Sequence, residues 1–339
     1  PTAVLTPQET EELFISIRKL KERGHTVIFI SHKLKEVMAI SDRITVLRAG
    51  KTVGTVNKED VTPEELAQMM IGRQLAGMER DQIALGEPVL KVKDLVVMGD
   101  RNKTEVNGLS FQLRRGEILG VAGVEGNGQT ELSECILGIR RAMQGSVEIC
   151  GADVTKASVN TRIEKGLAFI PQERMTDGLA LGCSITDNIM INRRNKEPIL
   201  HRGIIRWDKA KALAEELIGQ YKVKASGAEE LCQNLSGGNM QKVIVARELS
   251  VAPQLVIACQ PTRGVDIGAS EYIHSMLLKT RDEGNAVLLI SADLDEVMEL
   301  SDRIMVMFEG EKTGEMTGAE ADEKKIGRLM FGKEKEEAV

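Results

Sequence analysis

The sequence predicts an α/β fold with a parallel sheet. Apolar stretches such as VLKVKDLVV (89–97), GEILGVAG (116–123) and LVIACQ (255–260) predict buried strands that alternate with helical segments, as in parallel sheets. A glycine-rich loop joins the second of these strands to a predicted helix. A segment of 18 residues recurs late in the chain, which indicates that one structural unit occurs twice.

Composition and charge exclude several classes of protein. The 339 residues suffice for roughly two domains. A net charge of -6 gives no electrostatic footprint for nucleic acid, so we expect no nucleic-acid partner. No apolar run approaches the ~18 residues that a membrane-spanning helix needs. The five cysteines form no C-x-x-C pair, which favours reduced thiols over a metal site.

The internal repeat predicts the domain organisation. ISHKLKEVMAISDRITVL (30–47) returns as ISADLDEVMELSDRIMVM (290–307), shifted by 260 residues without a gap. We therefore expect the C-terminal part of a first domain at 1–71, a polar linker at 72–88, and a complete second domain at 89–335. The front of the first domain would then precede residue 1. The alternative is a small module that merely resembles the end of the second domain.

The stretch GVEGNGQT (123–130) has the pattern of a phosphate-binding loop, G-x-x-x-x-G-K-S/T, with Gln129 in the lysine position. Glycines allow backbone N–H groups to point inward, and the following helix N-terminus adds partial positive charge. A glutamine amide binds phosphate more weakly than a lysine ammonium does. Taken alone, the loop could equally be a glycine-rich turn without a ligand.

Further motifs follow this loop in a fixed order: FIPQER (169–174), LSGGNMQK (235–242), LVIACQPTRGVD (255–266) and ISADLDEV (290–297). With them the chain resembles the ATP-binding cassette (ABC) proteins. The resemblance implies a P-loop NTPase fold of ABC type, in which a mixed sheet carries helices on both faces and a helical subdomain lies at about 183–250. LSGGNMQK resembles the signature motif of that family, and Gln172 falls at its Q-loop glutamine. Residues 255–260 match its Walker B strand, and 290–292 match its switch-histidine segment.

The resemblance also implies the ligands. ATP and Mg²⁺ are the expected cofactors, with Thr130 and Gln172 as weak Mg²⁺ ligands and His32 as the catalytic switch histidine of the first domain. The residues expected to contact nucleotide are Gly123, Val124, Glu125, Gly126, Asn127, Gly128, Gln129, Thr130, Glu131, Gln172, Ser236, Gly237, Gly238 and Asn239.

Four positions of the second domain depart from the family pattern. Cys259 and Gln260 stand where the Walker B strand ends in Asp-Glu, Ala292 stands at the switch histidine, and Gln129 at the lysine. A neutral thiol is a poor Mg²⁺ ligand, and a glutamine cannot act as a general base. We therefore expect this site to hold nucleotide and to hydrolyse it poorly. A competent site would combine His32, the missing first loop and the signature, so the chain alone is expected to be inactive.

The strings GVEGNGQTEL, LSGGNMQK and PTRGVDIGASEYIH are similar to the ATPase subunits of bacterial simple-sugar and nucleoside importers. This similarity implies ATP-driven import, with transmembrane permease subunits as partners, an extracytoplasmic substrate-binding protein as an indirect partner, and pairing between cassettes. It also implies a peripheral position on the cytoplasmic face of the bacterial membrane. TRGVDIGASEYIH favours the nucleoside branch over ribose-like or galactose-like sugars. Two alternatives remain: a regulatory or assembly cassette without hydrolysis, and a soluble tandem cassette that acts on the ribosome.

Overall fold

A computed structural model describes residues 7–31, 33–48, 50–72, 83–193 and 199–332. They fall into two compact units, one formed by residues up to 79 together with 264–271, and a larger one formed by 80–263 and 272–339. In the described part of the chain, no helix combines the length and the apolar character that crossing a bilayer requires.

The described part of the smaller unit contains α-helices and a β-hairpin. Its elements are α1 (Pro7–Glu22), α2 (Leu34–Ile40), β1 (Arg43–Arg48), β2 (Lys51–Asn57) and α3 (Pro63–Ile71). Thr62 caps α3, because its hydroxyl accepts the Glu65 N–H at 3.2 Å while the Glu65 carboxylate accepts the Thr62 N–H at 2.8 Å. Ile44, Val46 and Leu66 form the buried core of the unit.

The larger unit alternates strands and helices along most of its length. Its elements are β3 (Pro88–Met98), β4 (Thr104–Arg114), β5 (Ile118–Ala122), α4 (Gln129–Leu137), β6 (Ala142–Ile149), β7 (Ala152–Asp153), α5 (Val159–Glu164), β8 (Leu167–Ile170), α6 (Ile185–Met190), β9 (Leu200–His201), β10 (Ile204–Ile205), α7 (Trp207–Gln220), α8 (Gly237–Leu249), β11 (Leu255–Cys259), α9 (Ile267–Asp282, of which 272–282 belong to this unit), β12 (Ala286–Ser291), α10 (Leu294–Leu300), β13 (Arg303–Phe308), β14 (Glu311–Thr317) and α11 (Glu323–Leu329).

Two sheets organise this unit. The first has the order β14-β13-β5-β12-β11-β8 and is parallel except for β14, and the second is the antiparallel sheet β4-β3-β6-β7. Successive side chains of a strand point to opposite faces. Leu119 and Val121 of β5 therefore pack with Leu132 of α4, whereas Ala122 packs with Val297 of α10. The predicted mixed sheet with helices on both faces is confirmed.

The range predicted for a helical subdomain holds α6, α7 and α8. It also holds the short antiparallel hairpin β9–β10, which the sequence did not predict. The N-terminus of α6 is fixed by a capping box in which the Ser184 hydroxyl accepts the Asp187 N–H at 3.1 Å and the Asp187 carboxylate accepts the Ser184 N–H at 3.0 Å.

The sequence repeat is also a repeat of structure. The elements α1, α2, β1 and β2 recur as α9, α10, β13 and β14, each shifted by 260 residues at both ends. The pairing register of the two hairpins agrees residue by residue. Even the irregularity between Val46 and Leu47 recurs between Val306 and Met307. The two segments therefore encode one local fold, down to its hairpin bulge.

The copies differ in the segment before α2 and α10. Residues 286–291 form β12, which pairs with β11 on one side and β5 on the other, and Leu288 is 0% exposed. The corresponding residues 26–31 are described without strand structure, and Ile28 and Ile30 are 86% and 83% exposed. A strand needs partners for its backbone groups. In the described part of the smaller unit, residues 26–31 have no neighbouring strands like those that flank β12.

Candidate functional site

The glycine-rich loop lies between β5 and α4, in the predicted strand–loop–helix context. Gly126 and Gly128 have φ angles of 92° and 96°, in the left-handed region that favours glycine. A Cβ atom on Gly128 would lie 2.0 Å from the carbonyl oxygen of Glu105. Only glycine therefore fits at 128, where the loop turns into the first turn of α4.

The Gln129 side chain folds back into the loop. It is 8% exposed, its Oε1 accepts the Asn127 N–H at 3.1 Å, and its Nε2 donates to the Val124 carbonyl at 3.1 Å. A Cβ atom on Gly123 would lie 2.4 Å from that Nε2. The amide thus occupies the concave side of the loop and engages a backbone N–H that would otherwise be available to an anion.

Asn127 anchors the loop to the turn between β13 and β14. Its Oδ1 accepts the Glu309 N–H at 2.8 Å, its carbonyl accepts the Gly310 N–H at 3.2 Å, and its Nδ2 donates to the Val124 carbonyl at 3.0 Å. Asn127 therefore holds the loop both to the β13–β14 turn and to its own residue Val124. At the start of α4 the Thr130 side chain is exposed and Glu131 is half-buried.

Gln172 lies beside the loop. It follows β8, and its Nε2 donates to Oε1 of Glu125 at 2.9 Å. The Arg263 guanidinium lies at the same place, with its Nη1 3.7 Å from that Glu125 oxygen and 3.0 Å from Oε1 of Glu173. Among the described residues, Thr130 and Gln172 share no hydrogen bond.

Arg174 connects this cluster to the signature segment. Its Nη1 donates to the Arg263 carbonyl, and a Cβ atom on Gly237 would lie 3.1 Å from its Nη2. Burial lowers the pKa of Arg174; Glu173 acts in the opposite direction and Arg263 in the same one. Glu173, Arg174 and Arg263 lie within FIPQER and PTRGVD, and the motif patterns alone did not identify them as functional residues. The sequence offered one signal for these three residues, because each is charged and lies within a motif.

Ser236 is the N-cap residue of α8. Its side chain makes no capping bond to the helix backbone and instead accepts from Nδ2 of Asn239 at 2.8 Å. Asn239 Oδ1 in turn accepts the Lys224 N–H at 2.9 Å, and Gly238 is buried. Since the hydroxyl does not cap the first turn, N–H groups at this helix end are available to an anion.

The four departures from the family pattern lie around the ends of two central strands and the loop. Cys259 ends β11, is 5% exposed, and burial raises its pKa to about 12, with a small opposing effect of the Ser133 hydroxyl. It therefore remains a neutral thiol at physiological pH and offers no charged ligand. Gln260 has a φ of 46° and donates its N–H to the Ile290 carbonyl at 2.7 Å. Ala292, after β12, is exposed, and His32 lies outside the described residues.

The sequence matches the family model described as ABC transporter over residues 106–263. It is 43% identical over 335 residues to the glucose import ATP-binding protein TsgD13 of Haloferax volcanii, covering 98% of this chain and 61% of that protein. It is 41% identical to the nucleoside import ATP-binding protein NupA of Lactococcus lactis, covering 98% of this chain and 66% of that protein. The guanosine import ATP-binding protein NupO of Bacillus subtilis is 40% identical, with coverages of 100% and 66%. The chain thus spans 61% to 66% of the length of these relatives.

Solved ATP-binding cassettes share the fold. A dimeric cassette in a post-hydrolysis state, bound to ADP and Pi, superposes with a TM-score of 0.59 at 21% identity, covering 67% of this chain and 98% of that one. A nucleotide-free cassette from an ABC transporter also gives 0.59, at 22% identity, with coverages of 72% and 96%.

Proposed function

Because residues 106–263 form an ABC transporter ATPase domain, we propose that this chain is an ATP-binding subunit that energises import of a nucleoside or a simple sugar through a membrane transporter. One observation carries the proposal: a single unit holds the glycine-rich loop on β5 and α4, Gln172 against that loop, and the signature at the start of α8. The relatives named for glucose, nucleoside and guanosine import support it.

The loop binds the phosphates of ATP in this proposal and does not cleave them. The backbone N–H groups of residues 123–130 and the N-terminus of α4 attract the phosphates, and the Gln129 amide moves aside to admit them. Hydrolysis requires a base to activate water. Gln260 and Ala292 supply neither a carboxylate nor an imidazole at the positions where the family has them, so bound ATP stays intact.

Magnesium would be held weakly by the protein itself. The available donors are the exposed Thr130 hydroxyl and the Gln172 amide oxygen, both neutral oxygens of the kind Mg²⁺ accepts. The neutral Cys259 thiol does not fit a Mg²⁺ site. Among the described residues, no three His, Cys, Asp or Glu side chains form a group suited to a metal ion. Most of the coordination would therefore come from the nucleotide and water.

Cassette pairing completes the proposal. The repeat of α1, α2, β1 and β2 supports the interpretation of residues 1–71 as the C-terminal part of a first cassette, joined through residues 72–88 to a second at 89–335. We infer that Ser236, Gly237, Gly238 and Asn239 bind nucleotide and that His32 is the switch histidine of the first cassette. ATP hydrolysis in the full assembly depends on that histidine, and this chain alone does not perform it.

The partners follow from the importer function. Permease subunits in the membrane receive the conformational change, an extracytoplasmic binding protein delivers the substrate, and this subunit lies on the cytoplasmic face. Specificity for a nucleoside or a sugar resides in those partners, so the proposal for this chain covers both classes. A net charge of -6 argues against the ribosome alternative.

Affinity isolation of the tagged chain from solubilised membranes of its native host tests the partner assignment. We expect an integral membrane protein to co-purify in amounts comparable to the bait, because a peripheral ATPase needs a membrane-embedded partner. An isolate that contains ribosomal proteins and no integral membrane protein would reject the importer and favour the ribosome alternative. A mock isolation with untagged chain corrects for nonspecific capture.

A further inference from the structure

The glycine-rich loop carries negatively charged side chains and no positively charged ones. Between residues 123 and 131 it carries two carboxylates, Glu125 and Glu131, and no lysine or arginine. A nucleoside triphosphate brings several negative charges to this loop, and like charges at close range oppose binding. Backbone N–H groups and a helix terminus supply only partial charges. A site that binds a triphosphate here needs a cation from elsewhere in the fold.

Arg263 is placed to supply that cation. Its Nη1 lies 3.7 Å from Glu125 Oε1, on the loop, and 3.0 Å from Glu173 Oε1. The same Glu125 oxygen accepts from Gln172 Nε2 at 2.9 Å. One carboxylate oxygen of the loop thus lies near both a guanidinium and an amide donor. A phosphate oxygen accepts hydrogen bonds from the same two kinds of group.

The ion pair between Arg263 and Glu125 is weak, so another anion can replace Glu125 as the partner of Arg263. Their side chains are 32% and 53% exposed, and Glu173 is 55% exposed. Ion pairs this open to solvent contribute little to stability. A phosphate carries more charge than a carboxylate and accepts both arms of a guanidinium. The phosphate therefore wins the competition for Arg263.

The backbone around Arg263 is fixed while its side chain is not. Its N–H donates to the Gln260 carbonyl at 3.0 Å, and its own carbonyl accepts from Arg174. The residue thus stays beside β11, while the guanidinium, whose ion-pair partners among the described residues are the exposed carboxylates of Glu125 and Glu173, can change partner. A side-chain rotation is enough to redirect it.

We propose that Arg263 is a phosphate-binding residue of this site and supplies the positive charge that Gln129 does not. Without nucleotide, Glu125 and Glu173 hold the guanidinium. A bound nucleoside triphosphate takes the place of Glu125, and Arg263 pairs with its terminal phosphate. Glu125 therefore acts as a competing anion. The inference rests on the proposed nucleotide binding at residues 123–130.

Equilibrium titration of the full chain with ATP, ADP and AMP tests the assignment. We expect R263Q to weaken ATP binding about tenfold or more, with a smaller effect for ADP and none for AMP. We expect E125Q to strengthen ATP binding several-fold, because it removes the competing charge. R263K keeps the charge but lacks the two arms of a guanidinium, so it should retain only part of the affinity that R263Q loses. R206Q, at an exposed arginine before α7, is the matched control and should bind as the wild type does.

The outcomes separate the two proposals. If the wild-type chain binds none of the three nucleotides, the proposed function fails. If it binds ATP and R263Q binds ATP equally well, Arg263 is not a phosphate ligand. Should E125Q weaken ATP binding as R263Q does, Glu125 positions the arginine and does not compete, and the exchange is wrong. If R263Q does not fold, R263K still tests whether Arg263 binds phosphate, and E125Q still tests whether Glu125 competes with it.

Discussion

Replacing Arg162 with methionine lowers the free energy of unfolding of the larger unit by about 3 kcal/mol or more. Arg162 is 2% exposed, and its Nη1 donates to the carbonyls of Cys135 and Ile136, both at 2.7 Å. Its Nη2 and Nε donate to Thr155 at 3.2 Å and Ala157 at 3.3 Å. The side chain therefore binds the last carbonyls of α4 to the turn after β7. Methionine fills similar space and leaves these buried acceptors short of donors.

Urea unfolding of the wild type, R162M and R206M measures this effect. Arg206 is exposed, so its replacement should change the free energy by no more than about 0.5 kcal/mol. Burial lowers the pKa of Arg162, which means that desolvation of the charge offsets part of the gain from its hydrogen bonds. Equal midpoints for R162M and R206M would show that the offset is complete and that Arg162 does not stabilise the unit.

Replacing Gln129 with lysine tightens ATP binding by about 10- to 100-fold, the range expected for a charge-assisted hydrogen bond worth about 1.5–3 kcal/mol. The lysine adds a full positive charge, and it no longer accepts the Asn127 N–H that the Gln129 amide engages at 3.1 Å. That N–H becomes available to a phosphate. Phosphate release stays at background, because Cys259, Gln260 and Ala292 are unchanged.

Titration with ATP and a phosphate-release assay on Q129K and Q129M check this prediction. Q129M removes the amide without adding charge, so it separates the freed N–H from the new ammonium. We expect Q129K to bind more tightly than Q129M. If the two bind alike, charge at this position is unimportant to the loop. Phosphate release by Q129K above background would mean that the lysine was the missing catalytic group.

Local patterns in the sequence predicted the elements that carry the loop. The strand–loop–helix around residues 118–137 depends on buried apolar residues and on glycines with positive φ, both of which are visible in a short window. The capping box at Thr62 and Glu65 is equally local. The repeat fixed the correspondence of the two hairpins because their register depends on the same residue pattern.

Contacts between distant residues were not predictable in this way. Arg263 and Glu173 are 90 positions apart, and only the pairing of β8 with β11 brings their loops together. The rotamer that turns Gln129 into the loop depends on the Val124 carbonyl and the Asn127 N–H. Residues 26–31 have an apolar pattern that predicts a strand, as in β12, but they are described without strand structure. A strand also needs neighbouring strands to pair with, and the local sequence does not supply them.

The central claim is that residues 123–130 hold ATP without cleaving it. The most direct measurement incubates the chain with Mg²⁺ and ATP labelled on its γ-phosphate, isolates the protein after several hours, and analyses the label that stays bound. The account predicts about one nucleotide per chain, recovered as intact ATP, with free phosphate no higher than in buffer. A chain that retains no label, or that releases it as phosphate at a rate which Q129M changes, would contradict the claim.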